Sequence, residues 1–229
     1  MQNSLNKPVY MLGDVHGNWD AMFRRINTAE ISGCYLICVG DLGIGFKDSY
    51  SKEMRCLEIA NEFFSKRDIQ FLSIRGNHDD PGFFNDEIHE WSNLRLIPDY
   101  HVEFINGEKF LFVGGAISID RQIRQPLVAY WEDEPFVLRP EFAVECDVLI
   151  THSAPTWLGP FDKQGIIGWC DKDEYLWRDC TKERDDIGKI VELSKPSRLY
   201  CGHFHQHYLA ERNGCRGRIL AELEISEHR

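Results

Sequence analysis

Apolar residues fall along this chain in short runs, and five of six such runs end on carboxylate, amide or imidazole side chains. Val9–Leu12 gives way to Gly13-Asp14-Val15-His16, Tyr35–Val39 to Gly40-Asp41, and Phe71–Ile74 to Arg75-Gly76-Asn77-His78-Asp79. Lys109–Val113 leads to Gly114-Gly115, Asp147–Ile150 to Thr151-His152, and Leu199–Cys201 to Gly202-His203-Phe204-His205. Runs of this length, rich in β-branched and aromatic residues, predict buried strands. Between them the period changes. Trp19, Met22, Phe23 and Ile26 are spaced for one helix face, with Asn18 as its N-cap. Cys56, Ile59, Ala60 and Phe63 repeat the spacing, as do Ile187, Ile190 and Val191, with Pro196 beyond the helix end. Asn106-Gly107 and Asn213-Gly214 sit where hairpin turns belong.

Strands alternating with helices predict βαβ units around a largely parallel sheet, and the hairpins add antiparallel pairs. The fold class expected is mixed α/β with two stacked sheets flanked by helices. No repeat, linker or low-complexity stretch divides residues 1–229, so one domain is expected. In such folds ligands bind beyond the carboxyl ends of the strands, where the polar endings fall.

Those endings bring together Asp14, His16, Asp41, Asn77, His152, His203 and His205, with His78 beside them. Carboxylate, amide and imidazole donors without thiolate suit Mn, Fe, Zn or a similar divalent ion. Seven ligands exceed one closed tetrahedral site and fit two ions about 3.5–4 Å apart sharing a carboxylate. The glycines before Asp14, Asp41, Asn77 and His203 suit tight turns that bring backbone close to a metal or phosphate.

The stretches GDVHG (13–17), GD (40–41), RGNHD (75–79), TH (151–152) and GHFH (202–205) resemble, in order, the motifs of the calcineurin-like metallophosphoesterase superfamily. The resemblance implies a four-layer α-β-β-α sandwich. It implies one metal on Asp14, His16 and His205, a second on Asn77, His152 and His203, and Asp41 bridging them. It also implies phosphoester hydrolysis by a metal-activated hydroxide, with His78 protonating the leaving oxygen, and phosphate monoesters are the substrates expected. A phosphodiesterase, nuclease or dinucleoside-polyphosphate hydrolase would use the same ligands.

Ser/Thr protein phosphatases of this superfamily carry GDxxDRG, whereas this chain reads Gly40-Asp41-Leu42-Gly43-Ile44-Gly45-Phe46, lacking the second Asp and the Arg. Arg121 and Arg124, in the stretch after Gly114-Gly115, are candidates for the missing phosphate grip, since a guanidinium binds phosphoryl oxygens as a fork. Arg75 is expected behind the site, and Asp79 either to orient His78 or to cap a turn before Pro81. Trp157, Trp169 and Trp177 place aromatics in the segment from Trp157 to Asp186, readable as a rim over the site or as an insertion packed on the body. His89, His101, His207 and His228 have no partner at ligand spacing and are expected at the surface.

The net charge of −11 opposes a general nucleic-acid or anionic-membrane surface. The expected substrate is a phosphorylated small molecule, nucleotide or phosphopeptide, with oligomeric state left open. Eight cysteines without a CxxC pair read as reduced and structural. With no apolar segment of spanning length, a cytoplasmic location is the expectation.

Overall fold

The computed structural model describes residues 6–46, 50–85, 91–159 and 161–229. In chain order its elements are β1 (Val9–Leu12), α1 (Trp19–Thr28), β2 (Tyr35–Cys38), α2 (Tyr50–Ser65), β3 (Gln70–Ser73), β4 (Leu94–Leu96), β5 (His101–Ile105) and β6 (Glu108–Val113). They continue with β7 (Val148–Thr151), α3 (Ile167–Cys170), α4 (Leu176–Ser194), β8 (Arg198–Cys201), β9 (Tyr208–Arg212), β10 (Cys215–Ile219) and β11 (Ile225–Glu227). One sheet has the order β11-β1-β2-β3-β4, the other β5-β6-β7-β8-β10-β9. In the first, β1 to β4 are parallel and β11 is antiparallel to β1. In the second, β6, β7, β8 and β10 are parallel, with β5 and β9 as antiparallel outer strands.

The apolar runs are apolar on both faces because each strand serves two cores. Side chains alternate across a strand. Val9, Met11, Ile37, Val39, Leu72 and Ile74 therefore meet Phe110, Phe112, Val148, Ile150 and Tyr200 between the sheets. Their neighbours Leu12, Leu36, Cys38 and Phe71 pack outward on Met22, Ile26, Leu57, Ala60 and Phe64 of α1 and α2. Leu111, Val113, Leu149, Leu199 and Cys201 pack on Ile187 and Ile190 of α4. The result is the expected layering of helices, sheet, sheet and helix.

Asn18 caps α1, its side chain accepting from Ala21 N at 3.3 Å. Both hairpins turn on Asn-Gly, with φ of 53° and 90° at Asn106-Gly107 and 52° and 80° at Asn213-Gly214. Two expectations change. In α2 the buried stripe is Glu53, Leu57, Ala60 and Phe64, while Ile59 is exposed. The face of Cys56, Ile59 and Phe63 is also apolar in spacing but lies a fraction of a turn away. His228 is not a surface residue: its ring bridges Tyr200 Oη at 2.9 Å and Glu108 at 3.0 Å, and only 8% of its side chain is exposed. His101 pairs with Glu103 and His207 with Glu224, while His89 lies outside the described residues. All eight cysteines are free thiols. Among the described residues no helix is long and apolar enough to cross a membrane.

Candidate metal centre

The loops after β1, β2, β3, β7 and β8 converge at the shared edge of the two sheets. Four residues there hold left-handed backbone: His16 (φ 51°), Asp41 (52°), His203 (67°) and His205 (54°). Side chains with a Cβ rarely adopt this region, and such strain persists where the surroundings over-determine it, as at ligand sites. Close approach of backbone to carboxylate explains two of the glycines. A Cβ on Gly76 would lie 2.0 Å from Asp41 Oδ1, and one on Gly202 the same distance from Asp14 Oδ1.

The seven expected ligands come together in two groups that meet at Asp41. Donor atoms of Asp14, His16, Asp41 and His205 all lie within 4.8 Å of one another. Within that group His16 Nε2 is 2.9 Å from His205 Nε2, and His205 Nε2 is 3.2 Å from Asp14 Oδ2. In the other group Asn77 Oδ1 is 2.9 Å from His203 Nδ1 and 3.2 Å from His152 Nε2. Asp41 faces both groups, with Oδ1 3.2 Å from His152 Nε2 and Oδ2 3.7 Å from His16 Nε2. Supporting bonds fix the set. Val39 O is 2.8 Å from His152 Nδ1, Asn77 donates its amide to Ser118 Oγ at 3.0 Å, and His203 N donates to Asp14 Oδ2 at 2.9 Å.

This arrangement is short of positive charge. Asp14 Oδ1 is buried with no hydrogen-bond partner, an expensive state for a carboxylate oxygen. Burial opposes ionisation of Asp41, but His152, His78 and His16 hold it well below the usual carboxylate range. Burial lowers His152, yet the Asp41 carboxylate overrides it and raises this imidazole to about 10. Burial, reinforced by His152, drives His203 well below the usual range and leaves it neutral, as a ligand must be. A proton shared between His152 and Asp41 thus occupies ground that a cation fits better. Oxygen and imidazole donors, an orphaned carboxylate oxygen and a carboxylate facing both groups match divalent metal ions.

Beside the ligands, His78 donates its backbone N–H to Asp41 Oδ1 at 2.8 Å, and Phe46 stacks on its ring at 4.9 Å. Burial, with Arg124 and His16 nearby, lowers the His78 imidazole to about 4 despite Asp41. Arg124 reaches this ring: its Nη2 is 2.7 Å from His78 Nε2, while its Nη1 donates to Ser118 Oγ at 2.8 Å and Asn77 O at 3.2 Å. Arg121, expected alongside it, is not brought to the site. Its guanidinium is bound by Asp173 at 2.6 Å and Asp179 at 2.8 Å.

Arg75 pairs with Asp99 and donates to the carbonyls of Asp133, Glu134 and Pro135, so it ties loops together behind the ligands. Asp79 does not touch the His78 ring. Its carboxylate accepts from Leu42, Gly43, Ile44 and Gly76 N–H groups, fastening the loop after Asp41 to the turn that carries Asn77.

A cavity of about 470 Å³ opens onto Asp41, Asn77, His78, Arg124, His203 and His205. Ile119, Phe161, Ile166, Trp169 and Phe204 supply its apolar lining, and Asp120, Asp162 and Gln206 further polar groups. Phe161 is held by a stack on Trp177 at 5.3 Å, and the buried Arg184 lies 5.0 Å from the Phe161 ring and 5.2 Å from that of Phe204. Trp169 and Phe161 thus belong to a wall of this cavity, whereas Trp157 packs on the outer core. Ser118, which joins Asn77 to Arg124, carries no signal in the sequence that would single it out.

Two mixed sheets between helices, with ligand loops on their shared edge, define a metallophosphoesterase-type α/β sandwich. The model of the calcineurin-like phosphoesterase family matches residues 7–207, and the chain belongs to that family. A hydrolase that uses divalent metal is what membership implies. Among solved structures, TT1561 of Thermus thermophilus is similar with a TM-score of 0.59 at 12% identity, over 98% of this chain and 99% of that one. Phosphopantetheinyl hydrolase from Mycobacterium tuberculosis aligns with a TM-score of 0.45 at 16% identity, over 95% of this chain and 90% of its own. No curated protein matches the chain in sequence.

Proposed function

We propose that this protein is a dinuclear, divalent-metal-dependent phosphomonoesterase. The observation that carries the reading is the pair of ligand groups meeting at Asp41, with Arg124 and His78 side by side on their open face. Asp14, His16 and His205 would hold one ion, Asn77, His152 and His203 the other, and Asp41 both. Such ions supply Lewis acidity toward phosphoryl oxygens and a strong nucleophile from water near neutral pH.

The remaining chemistry falls to the chain's own groups. Arg124 offers two N–H donors to a phosphoryl group, and binding one draws the guanidinium off His78 Nε2. The dianion then favours the protonated imidazole, countering the burial that lowers it. His78 can then hand that proton to the leaving oxygen. The leaving alcohol would occupy the cavity beyond. Among the described residues the only Arg or Lys lining it is Arg124, while Asp120 and Asp162 line it beside the apolar Ile119, Phe161, Ile166, Trp169 and Phe204. This supports one dianionic phosphoryl group held at Arg124 and a leaving alcohol without further negative charge.

Turnover with added Mn on p-nitrophenyl phosphate, bis-p-nitrophenyl phosphate, cyclic nucleotides and dinucleoside polyphosphates tests the reading. Monoester preference is expected. A diester or polyphosphate preference would overturn it.

A further inference from the structure

The turn between β10 and β11 lies beyond the residues matched to the family, which end at 207. It is nevertheless built into the edge that carries Asp14. Gly13 N donates to Glu224 O at 2.9 Å, and Leu223 N donates to Asp14 O at 2.9 Å. A Cβ on Gly13 would lie 2.0 Å from Ala221 O, so the first glycine of the GDVHG stretch is what lets the turn dock. The Glu224 carboxylate closes the turn, accepting from Ala221 N at 2.9 Å and Arg218 Nη2 at 2.6 Å.

The docked turn carries Glu222 to the metal centre. Its Oε1 lies 3.1 Å from His205 Nδ1 and 3.8 Å from His16 Nε2. The other nitrogen of His205, Nε2, faces Asp14 and His16. Among the described residues Glu222 is the partner that the structure gives His205 Nδ1. An imidazole that donates Nδ1–H to a carboxylate keeps its Nε2 lone pair free and its ring aimed, which a metal ligand requires. His205 needs such support, for it sits on left-handed backbone with 44% of its side chain exposed.

We infer that Glu222 is a positioning residue that fixes the tautomer and aim of His205 as a metal ligand. The inference rests on the reading of this cluster as a divalent-metal site. Glu222→Ala and Glu222→Gln test it in the full chain, by titrating Mn²⁺ against a competing chelator and by comparing metal-free melting temperatures. Loss of a partner behind a ligating imidazole typically costs 10–100-fold in metal affinity, the loss expected for Glu222→Ala. Gln keeps an acceptor oxygen and should recover most of it, with melting unchanged in both. Nitrogen-15 spectra should show the Nδ1–H tautomer of His205 in the wild type and a mixture in Glu222→Ala.

Wild-type affinity in Glu222→Ala overturns the inference while leaving the metal reading intact. Equal losses in the two variants overturn it too, because a direct ligand or a bare charge would behave that way. No Mn²⁺ uptake by the wild-type protein would instead sink the metal reading itself.

Discussion

The contact between Arg124 and His78 allows a double-mutant cycle to test how phosphate grip and proton donation are coupled. Arg124→Ala removes the guanidinium that lies 2.7 Å from His78 Nε2 and bonds Ser118 Oγ and Asn77 O. Hydrogen bonds to a charged group contribute about 1.5–3 kcal/mol each. Losing a forked contact of two such bonds to a dianion, about 3–6 kcal/mol, should therefore lower kcat/KM by about 160- to 26,000-fold, since each 1.36 kcal/mol is tenfold. His78→Ala should cost about 10²–10⁴-fold on a poor leaving group, the usual range for general acid catalysis, and less on nitrophenyl phosphate. If Arg124 sets the His78 ring, the double variant should fall short of the product of the single losses by tenfold or more. Steady-state kinetics on an alkyl phosphate, with metal content and melting checked for each variant, measures the shortfall. Losses that multiply to within about threefold would show two independent residues and refute the coupling.

Arg121→Ala should lower the melting temperature by removing its ion pairs with Asp173 and Asp179, while kcat/KM stays within about threefold of wild type. Asp41→Asn should reduce bound metal, read by elemental analysis, more than any other single ligand change, because its carboxylate faces both ligand groups. Trp169→Ala should raise KM for naphthyl phosphate but leave glycerol phosphate unaffected, as its ring belongs to the apolar lining of the cavity, where the proposed leaving group would sit.

Glu134, fully buried and accepting from Ser118 N, is raised by burial to about 7. Between about pH 4.5 and 7 the unfolded chain loses this proton and the folded chain keeps it, so stability falls as pH rises. Glu134→Gln removes that loss. In urea melts it should gain on wild type by up to about 3 kcal/mol across this window, and a pH-independent difference would refute the shift.

What the sequence made legible follows from local chemistry. Buried parallel strands need no partner to be recognised, because a run apolar on both faces has few other uses, and the ligands sit at the ends of those runs. The hairpins were equally plain in their Asn-Gly turns. Helix α4 shows where pattern reading stops. Its first half buries Glu183 and Arg184, the first accepting from Ile117 and Phe136 N–H groups, the second donating to the carbonyls of Ala154, Pro155 and Leu158. Polar residues that satisfy loop backbone from a helix face break the apolar stripe that would announce the helix. The edge strands β4 and β11 are three residues long, too short to show a period. Arg121 and Arg124 are indistinguishable by spacing: Arg121 is taken by Asp173 and Asp179, some 50 residues on, whereas Arg124 pairs through Nε with Asp120 at 2.6 Å and keeps its Nη groups on Ser118 and His78.

The departure from the GDxxDRG pattern has a structural counterpart on the same edge. Without its second Asp and Arg, the stretch Leu42–Phe46 sends His78 an aromatic ring but no carboxylate or guanidinium, and three of its N–H groups are taken up by the Asp79 carboxylate. Asp79 is thereby withdrawn from the histidine it adjoins in sequence. The imidazole is instead enclosed by Phe46, His16 and Arg124, the last delivered by the loop after β6 in the opposite sheet. Ser118 fixes that delivery, since it receives both the Asn77 amide and the Arg124 guanidinium. A cation in place of a carboxylate beside His78 makes its proton affinity depend on whether a phosphoryl dianion is bound. Proton donation would then be conditional on substrate, a coupling that the Arg124–His78 cycle measures directly.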